Sequence, residues 1–230
     1  MNTLTFRADK EIFEKHPGFR RAVIVVRDVS NKGDLSDQVQ EQVASIKALD
    51  PQDVRLTAWS EAFAVEGMKV RDFRPSIIAL VKRIQADKPF GAISTIVDIG
   101  TIASLKFVLP AGAHPILADT TDVTLEYATG DEIDISLEGK TEIVPAGELV
   151  LKDNGRIATR RWVWRQAPIS RIDNKTTDFY LMLDALSVIS DETLSEAVQF
   201  SQDLIQSVLG VKTEAFVLSK EKTSEEVSLD

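Results

Sequence analysis

The stretch AGELVLKDNGRIATRRWVWRQ, from Ala146 to Gln166, carries the clearest structural signal in the chain. Apolar and polar residues alternate on both sides of Asp153-Asn154-Gly155, a sequence typical of a tight turn between two antiparallel strands. The preceding segment VTLEYATGDEIDISLEG alternates in the same way and is also interrupted by glycine. The chain after Pro110 is therefore predicted to form a run of antiparallel strands.

The N-terminal half mostly follows helical spacing. Thr3–Phe6 and Ala22–Val26 are rich in β-branched or aromatic residues and predict two strands, with a short helix between them. Apolar side chains recur every three or four residues between Leu35 and Ile46, as on one face of a helix. Further helices are predicted after Pro51 and at Arg74-Pro75, where proline suits the first helical turn.

These patterns together indicate the fold class. The segment Thr95–Val108 fits either a strand or a helix, and Ser190-Asp191 predicts the start of a C-terminal helix that Gly210 ends. Helices followed by strands, without regular alternation, predict an α+β domain. Its N-terminal helices are expected to pack on an antiparallel or mixed sheet from the C-terminal half. We expect one domain over residues 1–230, with a strand-helix-strand-helix extension over residues 1–50 and a polar, frayed tail over residues 219–230.

The composition excludes several kinds of chemistry. The 230 residues include no cysteine and only two histidines, His16 and His114. Thiolate catalysis and cysteine- or multi-histidine metal sites are therefore excluded. Motifs for nucleotide binding, serine hydrolysis and zinc proteolysis are also absent from the sequence. We expect no metal, no cofactor and no membrane partner, and a cytoplasmic location, because the sequence contains no signal core or membrane-length apolar run.

Two polar residues stand out as site candidates. His114 lies in LPAGAHPIL, predicted to be a loop, where it is either a general base or ligand-binding group or a histidine that hydrogen-bonds the backbone. Asp98 lies in the apolar run IVDIG, where burial would be costly without a partner. It is expected to cap the following helix or to face a pocket.

The basic stretch near the hairpin also has two interpretations. The formal net charge of the protein is −9, yet basic residues outnumber acidic ones between Lys152 and Lys175. In a continuous strand, Arg160, Trp162 and Trp164 would share one face. They could then bind RNA through stacking and phosphate contacts. Alternatively, the tryptophans belong to the core and the arginines pair with acidic residues.

Four segments in order resemble a known family. RPSIIALVKRI, STIVDIGTIASLKFVLPAG, AGELVLKDNGRIATRRWVWRQ and ISRIDNKTTDFYLMLDAL are similar to the B3/B4 domain of the phenylalanyl-tRNA synthetase beta subunit, and more closely to stand-alone proteins of that type. The resemblance covers about residues 59–210. In the synthetase this domain hydrolyses tyrosine wrongly attached to the phenylalanine tRNA. The resemblance therefore implies aminoacyl-tRNA as a ligand.

The same resemblance implies site residues, with departures. The family has an asparagine where this chain has Thr101, and its pocket histidine would fall at Gly112, two residues before His114. Its acidic pocket residue falls near Met182 or Asp184. We expect Thr101 and His114 to orient water or the aminoacyl group, an activated ester that needs no protein nucleophile.

Two functions follow from these expectations. In the first, the protein binds tRNA or aminoacyl-tRNA and hydrolyses a mischarged ester in trans, with Asp98, Arg160, Arg161, Trp162 and Arg165 contacting substrate or RNA. In the second, it is a non-catalytic module that binds RNA, a small amino-acid-like ligand or a protein. The departures at Thr101 and Gly112 favour the second function.

Overall fold

The computed structural model describes residues 3–136 and 139–229. The helices are α1 (Lys10–Lys15), α2 (Ser36–Lys47), α3 (Val54–Val65), α4 (Ser76–Gln85), α5 (Thr95–Phe107) and α6 (Asp191–Leu209), with a 3-10 helix at Pro168–Ser170. The strands are β1 (Thr3–Ala8), β2 (Arg20–Val26), β3 (Ala111–Pro115), β4 (Asp122–Tyr127), β5 (Ile133–Ile135), β6 (Thr141–Ile143), β7 (Leu149–Asp153), β8 (Arg156–Arg160), β9 (Arg165–Gln166), β10 (Phe179–Ala185), β11 (Glu214–Leu218) and β12 (Ser224–Ser228). The predicted α+β class is confirmed.

Two large sheets organise these strands. The six-stranded sheet has the order β12-β1-β4-β7-β8-β9, in which β1 and β4 are parallel and the other neighbours antiparallel. The four-stranded sheet has the order β11-β2-β10-β3 and is antiparallel throughout. A separate pair is formed by β5 and β6. The N-terminal strands β1 and β2 therefore complete sheets that are otherwise built from the second half of the chain.

The four-stranded sheet is buried on both faces. Successive side chains of a strand point to opposite faces, and on β10 Tyr180 and Met182 pack in the core shared with the six-stranded sheet. Leu181 points the other way, into the core shared with α5 and α6. The same division places Val23 and Ile24 of β2 in different cores. Odd or even position along these strands thus decides which layer a side chain enters.

The ambiguous segment Thr95–Val108 is a helix rather than a strand. α5 begins at Thr95 and ends at Phe107, and the next residue, Val108, has a left-handed φ of 53°. Its β-branched side chains pack against the four-stranded sheet. A Cβ added at Gly100 would lie 3.2 Å from Leu181 Cδ1, so glycine allows close approach of helix and sheet.

The expectation of a frayed tail is wrong. β12 pairs antiparallel with β1 over Thr3 to Arg7, and Val227 is fully buried. Pairing with β1 satisfies the peptide groups on one side of this polar edge strand, which its composition alone does not indicate.

Candidate functional site

A cavity of about 180 Å³ lies between the two large sheets. The four-stranded sheet contributes Arg21, Gly112, His114, Met182 and Asp184. The opposite side is formed by β7, β8, β9 and the turn between β8 and β9, through Leu151, Thr159, Trp162, Val163, Trp164, Arg165 and Gln166. The cavity is therefore lined by a few polar side chains among apolar ones, as is usual for small-molecule sites.

A buried ion pair forms part of the first wall. Arg21 and Asp184 are opposite each other on β2 and β10, and Arg21 Nε donates to Asp184 Oδ1 at 2.7 Å while Nη2 donates to Oδ2 at 2.6 Å. Their side chains are 3% and 2% exposed. Both positions implied for the acidic residue, Met182 and Asp184, line the cavity, and Asp184 is the one with a carboxylate, whose two oxygens both bind arginine.

Arg21 was not identified as a site residue from the sequence. Asp184 follows the apolar run FYLML, and Arg21 directly precedes the run AVIVV. Charged residues next to such runs need partners when they are buried, and this was the available signal. Which two charges pair was not visible, because 163 positions separate them.

His114 reaches the cavity from β3, so the predicted loop is a strand. Gly112 and His114 are two residues apart and therefore face the same side of the sheet. Both line the cavity, and a Cβ at Gly112 would lie 3.4 Å from His114 Nε2. The histidine thus lies beside the position at which the family resemblance places it.

The environment of His114 keeps its ring neutral. Its Nδ1 is hydrogen-bonded to Ser170 Oγ, and its ring stacks on Tyr180 with centroids 5.1 Å apart. Burial, and secondly the charge of Arg21, lower the pKa of His114 from 6.5 to about 3. Its Nε2 lies 3.3 Å from the Gln166 side-chain amide nitrogen. At neutral pH the imidazole and this amide can orient a water molecule or ligand, but the imidazole is a weak base.

The Arg/Trp stretch does not form one continuous strand. Arg161 and Trp162 have left-handed φ values of 48° and 62°, so the chain turns after Arg160 and returns as β9. The predicted common face of Arg160, Trp162 and Trp164 is therefore wrong. The alternating pattern of side chains concealed two adjacent left-handed residues, which are rare for bulky side chains.

Trp162 is a core residue that also lines the cavity. It is 1% exposed, and the rings of His16, Phe19 and Trp59 lie with centroids 4.7, 5.1 and 4.9 Å from its own. A tryptophan enclosed in this way cannot stack on an RNA base. The structure thus agrees with the interpretation that assigned Trp162 to the core.

Arg160 is likewise enclosed. Its guanidinium binds Glu148 through Nε and Nη2 and donates from Nη1 to Asp134 Oδ2 at 3.0 Å, with 2% of the side chain exposed. Burial opposes the charged form, but the two carboxylates raise the pKa of Arg160 above its ordinary value. Arg160 is therefore a structural cation that RNA phosphates cannot reach.

Arg161 and Arg165 are more accessible. Both guanidinium groups lie over the ring of Trp164, at 4.8 and 4.7 Å from its centroid. Arg165 also pairs with Asp134 at 2.8 Å, and Arg161 pairs with Glu148 at 3.3 Å. Their side chains are 17% and 29% exposed, so this Arg-Trp-Arg cluster borders the cavity and reaches solvent.

Much of the remaining basic charge is neutralised internally. Lys152 pairs with Glu126 and Glu132, and Arg156 pairs with Asp119 and Asp153. Among the described residues from Lys152 to Lys175, Arg171 and Lys175 are the basic ones without an ion pair; both line a separate surface depression. The local excess of basic residues is thus mostly a network within the fold.

Asp98 and Thr101 do not line the cavity. Both belong to α5, which packs against the other face of the four-stranded sheet. Asp98 lies inside the helix and accepts from the Ile93 N–H at 2.8 Å, so it ties down the preceding loop instead of capping a following helix. Burial raises the pKa of Asp98 despite this bond. The structure therefore does not bring Thr101 to His114.

No group of three or more potential metal ligands occurs among the described histidines, aspartates and glutamates. Within residues 3–136 and 139–229, no helix combines the length and apolar character required to span a membrane.

The relationship to known proteins adds to this geometry. No curated protein matches the chain by sequence. An N-terminal fragment of the phenylalanyl-tRNA synthetase beta subunit from Pyrococcus horikoshii aligns with a TM-score of 0.48 and 9% identity, over 98% of this chain and 54% of that one. The chain thus spans about half the length of that fragment. A sequence profile of the B3/4 domain matches residues 58–204, more than half of the chain. The chain therefore belongs to the B3/4 domain family.

Proposed function

We propose that the protein binds an aminoacyl-tRNA, holds the aminoacyl group in the cavity between the sheets and hydrolyses a mischarged ester in trans. The observation that carries the proposal is the cavity itself, lined by a neutral His114 in a chain of the B3/4 family. With tRNA as substrate, the protein would act in the cytoplasm.

The residues that line the cavity suit ester hydrolysis without a protein nucleophile. The aminoacyl ester is already activated, so a positioned water and hydrogen-bond donors lower the barrier. Ser170 is hydrogen-bonded to His114 Nδ1, and Gln166 Nε2 lies 3.3 Å from His114 Nε2. His114 and Gln166 both line the cavity, so together they would orient the water. Because its pKa is about 3, His114 contributes mainly by orientation and little as a proton acceptor. Thr101 takes no part in this proposal.

The tRNA would approach along the Arg161-Trp164-Arg165 cluster. Arg165 has the more exposed side chain of the two arginines and also lines the cavity, so it can contact phosphate while the aminoacyl group is bound. Arg160 and Trp162 would support this surface from within the fold and would not touch RNA.

A deacylation assay tests the proposal. The protein is incubated with a panel of tRNAs carrying correct and incorrect labelled amino acids, and release of the label is followed. We expect selective release from at least one mischarged tRNA and, because His114 positions the water, a rate about 100-fold lower for His114→Ala. Lys82→Glu, on the exposed face of α4, is the control and should leave the rate unchanged. Release equal to buffer with every tRNA would reject hydrolysis.

A second function is favoured by the charge arrangement. Since most basic side chains of the Lys152–Lys175 segment are paired internally and the chain carries −9, attraction of free tRNA is weak. A non-catalytic module that binds a small amino-acid-like ligand needs no such attraction. Ligand binding without turnover and without tRNA affinity at low salt would support this function over the first.

A further inference from the structure

Unpaired buried polar atoms are concentrated at the cavity. The described residues include six buried side-chain nitrogen or oxygen atoms that have no hydrogen-bond partner. Three of them, Arg21 Nη1, Thr159 Oγ1 and Trp162 Nε1, belong to residues that line this one cavity. A buried donor without a partner costs about 1 to 3 kcal/mol, so a ligand oxygen that accepts hydrogen bonds from these atoms would be bound favourably.

The geometry of Arg21 leaves one nitrogen for that group. Asp184 occupies the Nε and Nη2 edge of the guanidinium through two hydrogen bonds. The planar guanidinium therefore directs Nη1 away from Asp184, with two N–H groups unused. Because the carboxylate balances the charge of arginine, the pair presents donors to the cavity at little net charge.

The chemistry of the open donors defines the ligand class. Arg21 Nη1 and Trp162 Nε1 can only donate, and Thr159 Oγ1 can also donate. The surrounding wall includes the apolar side chains of Leu151 and Met182. A complementary ligand therefore has an oxygen that accepts hydrogen bonds and a compact apolar body.

We propose that Arg21 and Trp162 bind the carbonyl or carboxylate oxygen of a small amino acid or aminoacyl ester, and that Arg21 is a ligand-selecting residue of this chain. The part of this inference that names an aminoacyl ester as the ligand rests on the proposed function. Arg21 lies outside residues 58–204, the part that matches the B3/4 profile. The N-terminal strand β2 thus completes the binding site rather than merely extending the sheet.

Equilibrium binding without tRNA tests the inference separately from hydrolysis. Calorimetry is performed with the amino acids, their methyl esters and the corresponding amino alcohols, in which the carboxyl group is replaced by CH₂OH. We expect at least one acid or ester to bind, and its amino alcohol to bind about 10- to 100-fold more weakly, as expected for hydrogen bonds to a charged donor. If the acid binds more tightly than its methyl ester, the bound group is a carboxylate. If the acid and the ester bind equally, the bound group is the carbonyl oxygen that both contain. Absence of binding by all acids and esters, or equal binding of the amino alcohol, overturns the inference.

Two variants remove the donors individually. Arg21→Lys keeps a cation beside Asp184 but lacks the N–H groups of Nη1. Trp162→Phe keeps an aromatic ring but lacks the Nε1 donor. Each variant should bind the acid or ester about 10-fold more weakly or worse, and its affinity for the amino alcohol should change little. Arg55→Lys alters another bidentate pair, with Asp53, away from the cavity and serves as control. If hydrolysis is found and Arg21→Lys leaves binding and rate unchanged, the inference fails while the proposed function stands.

Discussion

Arg21 and Asp184 face each other across β2 and β10, and their bidentate ion pair lies in the wall of the cavity with both side chains almost fully buried. Taking two charges out of water is costly, and the pair offsets this cost only while both partners are present. The pair links the N-terminal extension to β10 and keeps the cavity wall polar where its surroundings are apolar.

Removal of one charge of this pair should therefore be strongly destabilising. Asp184→Asn leaves the Arg21 guanidinium buried without a counter-ion, which typically costs about 3 to 5 kcal/mol. Asp191→Asn removes an acid that pairs with Arg20 and is 81% exposed, so its effect should be much smaller. Urea denaturation of both variants measures the difference. Equal losses of unfolding free energy would contradict a structural role for the buried pair.

The arginines of the β8–β9 turn should separate into two kinds. Arg160→Glu places a third carboxylate beside Asp134 and Glu148 in the interior, so we expect insoluble or unfolded protein. Arg165→Glu changes a partly exposed side chain and should fold with a circular dichroism spectrum like that of the unaltered protein. A folded Arg160→Glu protein of normal thermal stability would show that the buried network is dispensable.

Local sequence patterns predicted the regular elements better than the site. Asp153-Asn154-Gly155 and the Ser190 cap act through neighbours in sequence, and both form the predicted turn and helix start. The left-handed pair Arg161-Trp162 depends on a buried ring cluster from distant segments, which no local pattern encodes. Arg21 likewise acquires its role only through sheet pairing with Asp184. Thr101 was placed with His114 by resemblance, but α5 and β3 present them to opposite layers.

Acid should destabilise the protein partly through His114. The unfolded chain takes up a proton near pH 6.5, whereas the folded protein resists protonation at His114 down to about pH 3. The unfolded state therefore binds more protons in this window, and unfolding free energy falls as pH decreases, by up to about 1.4 kcal/mol per pH unit for one group.

The His114→Asn variant isolates this contribution. Asparagine can hydrogen-bond Ser170 but does not titrate. Aspartates with raised pKa values, such as Asp98 and Asp153, are present in both proteins, so their contribution to the pH dependence is the same in each. Guanidinium denaturation at about pH 7, 6 and 5 should give a shallower pH dependence for the variant. Identical slopes would mean that His114 takes up its proton over the same pH range in the folded protein as in the unfolded chain.

If tRNA binds beside the cavity, Arg165 should account for part of the salt dependence of binding. Loss of one phosphate contact lowers the slope of log K against log salt by about 0.7 to 0.9, because one fewer counterion is released. Arg165→Glu should therefore bind more weakly at low salt and show a smaller slope, measured by filter binding over a salt series. Lys82→Glu makes the same change of charge on α4, an exposed site outside the cavity lining, and separates a local contact from a general effect of net charge. Equal weakening in both variants would exclude a specific phosphate contact at Arg165 and would attribute the loss of tRNA affinity to the change of net charge alone.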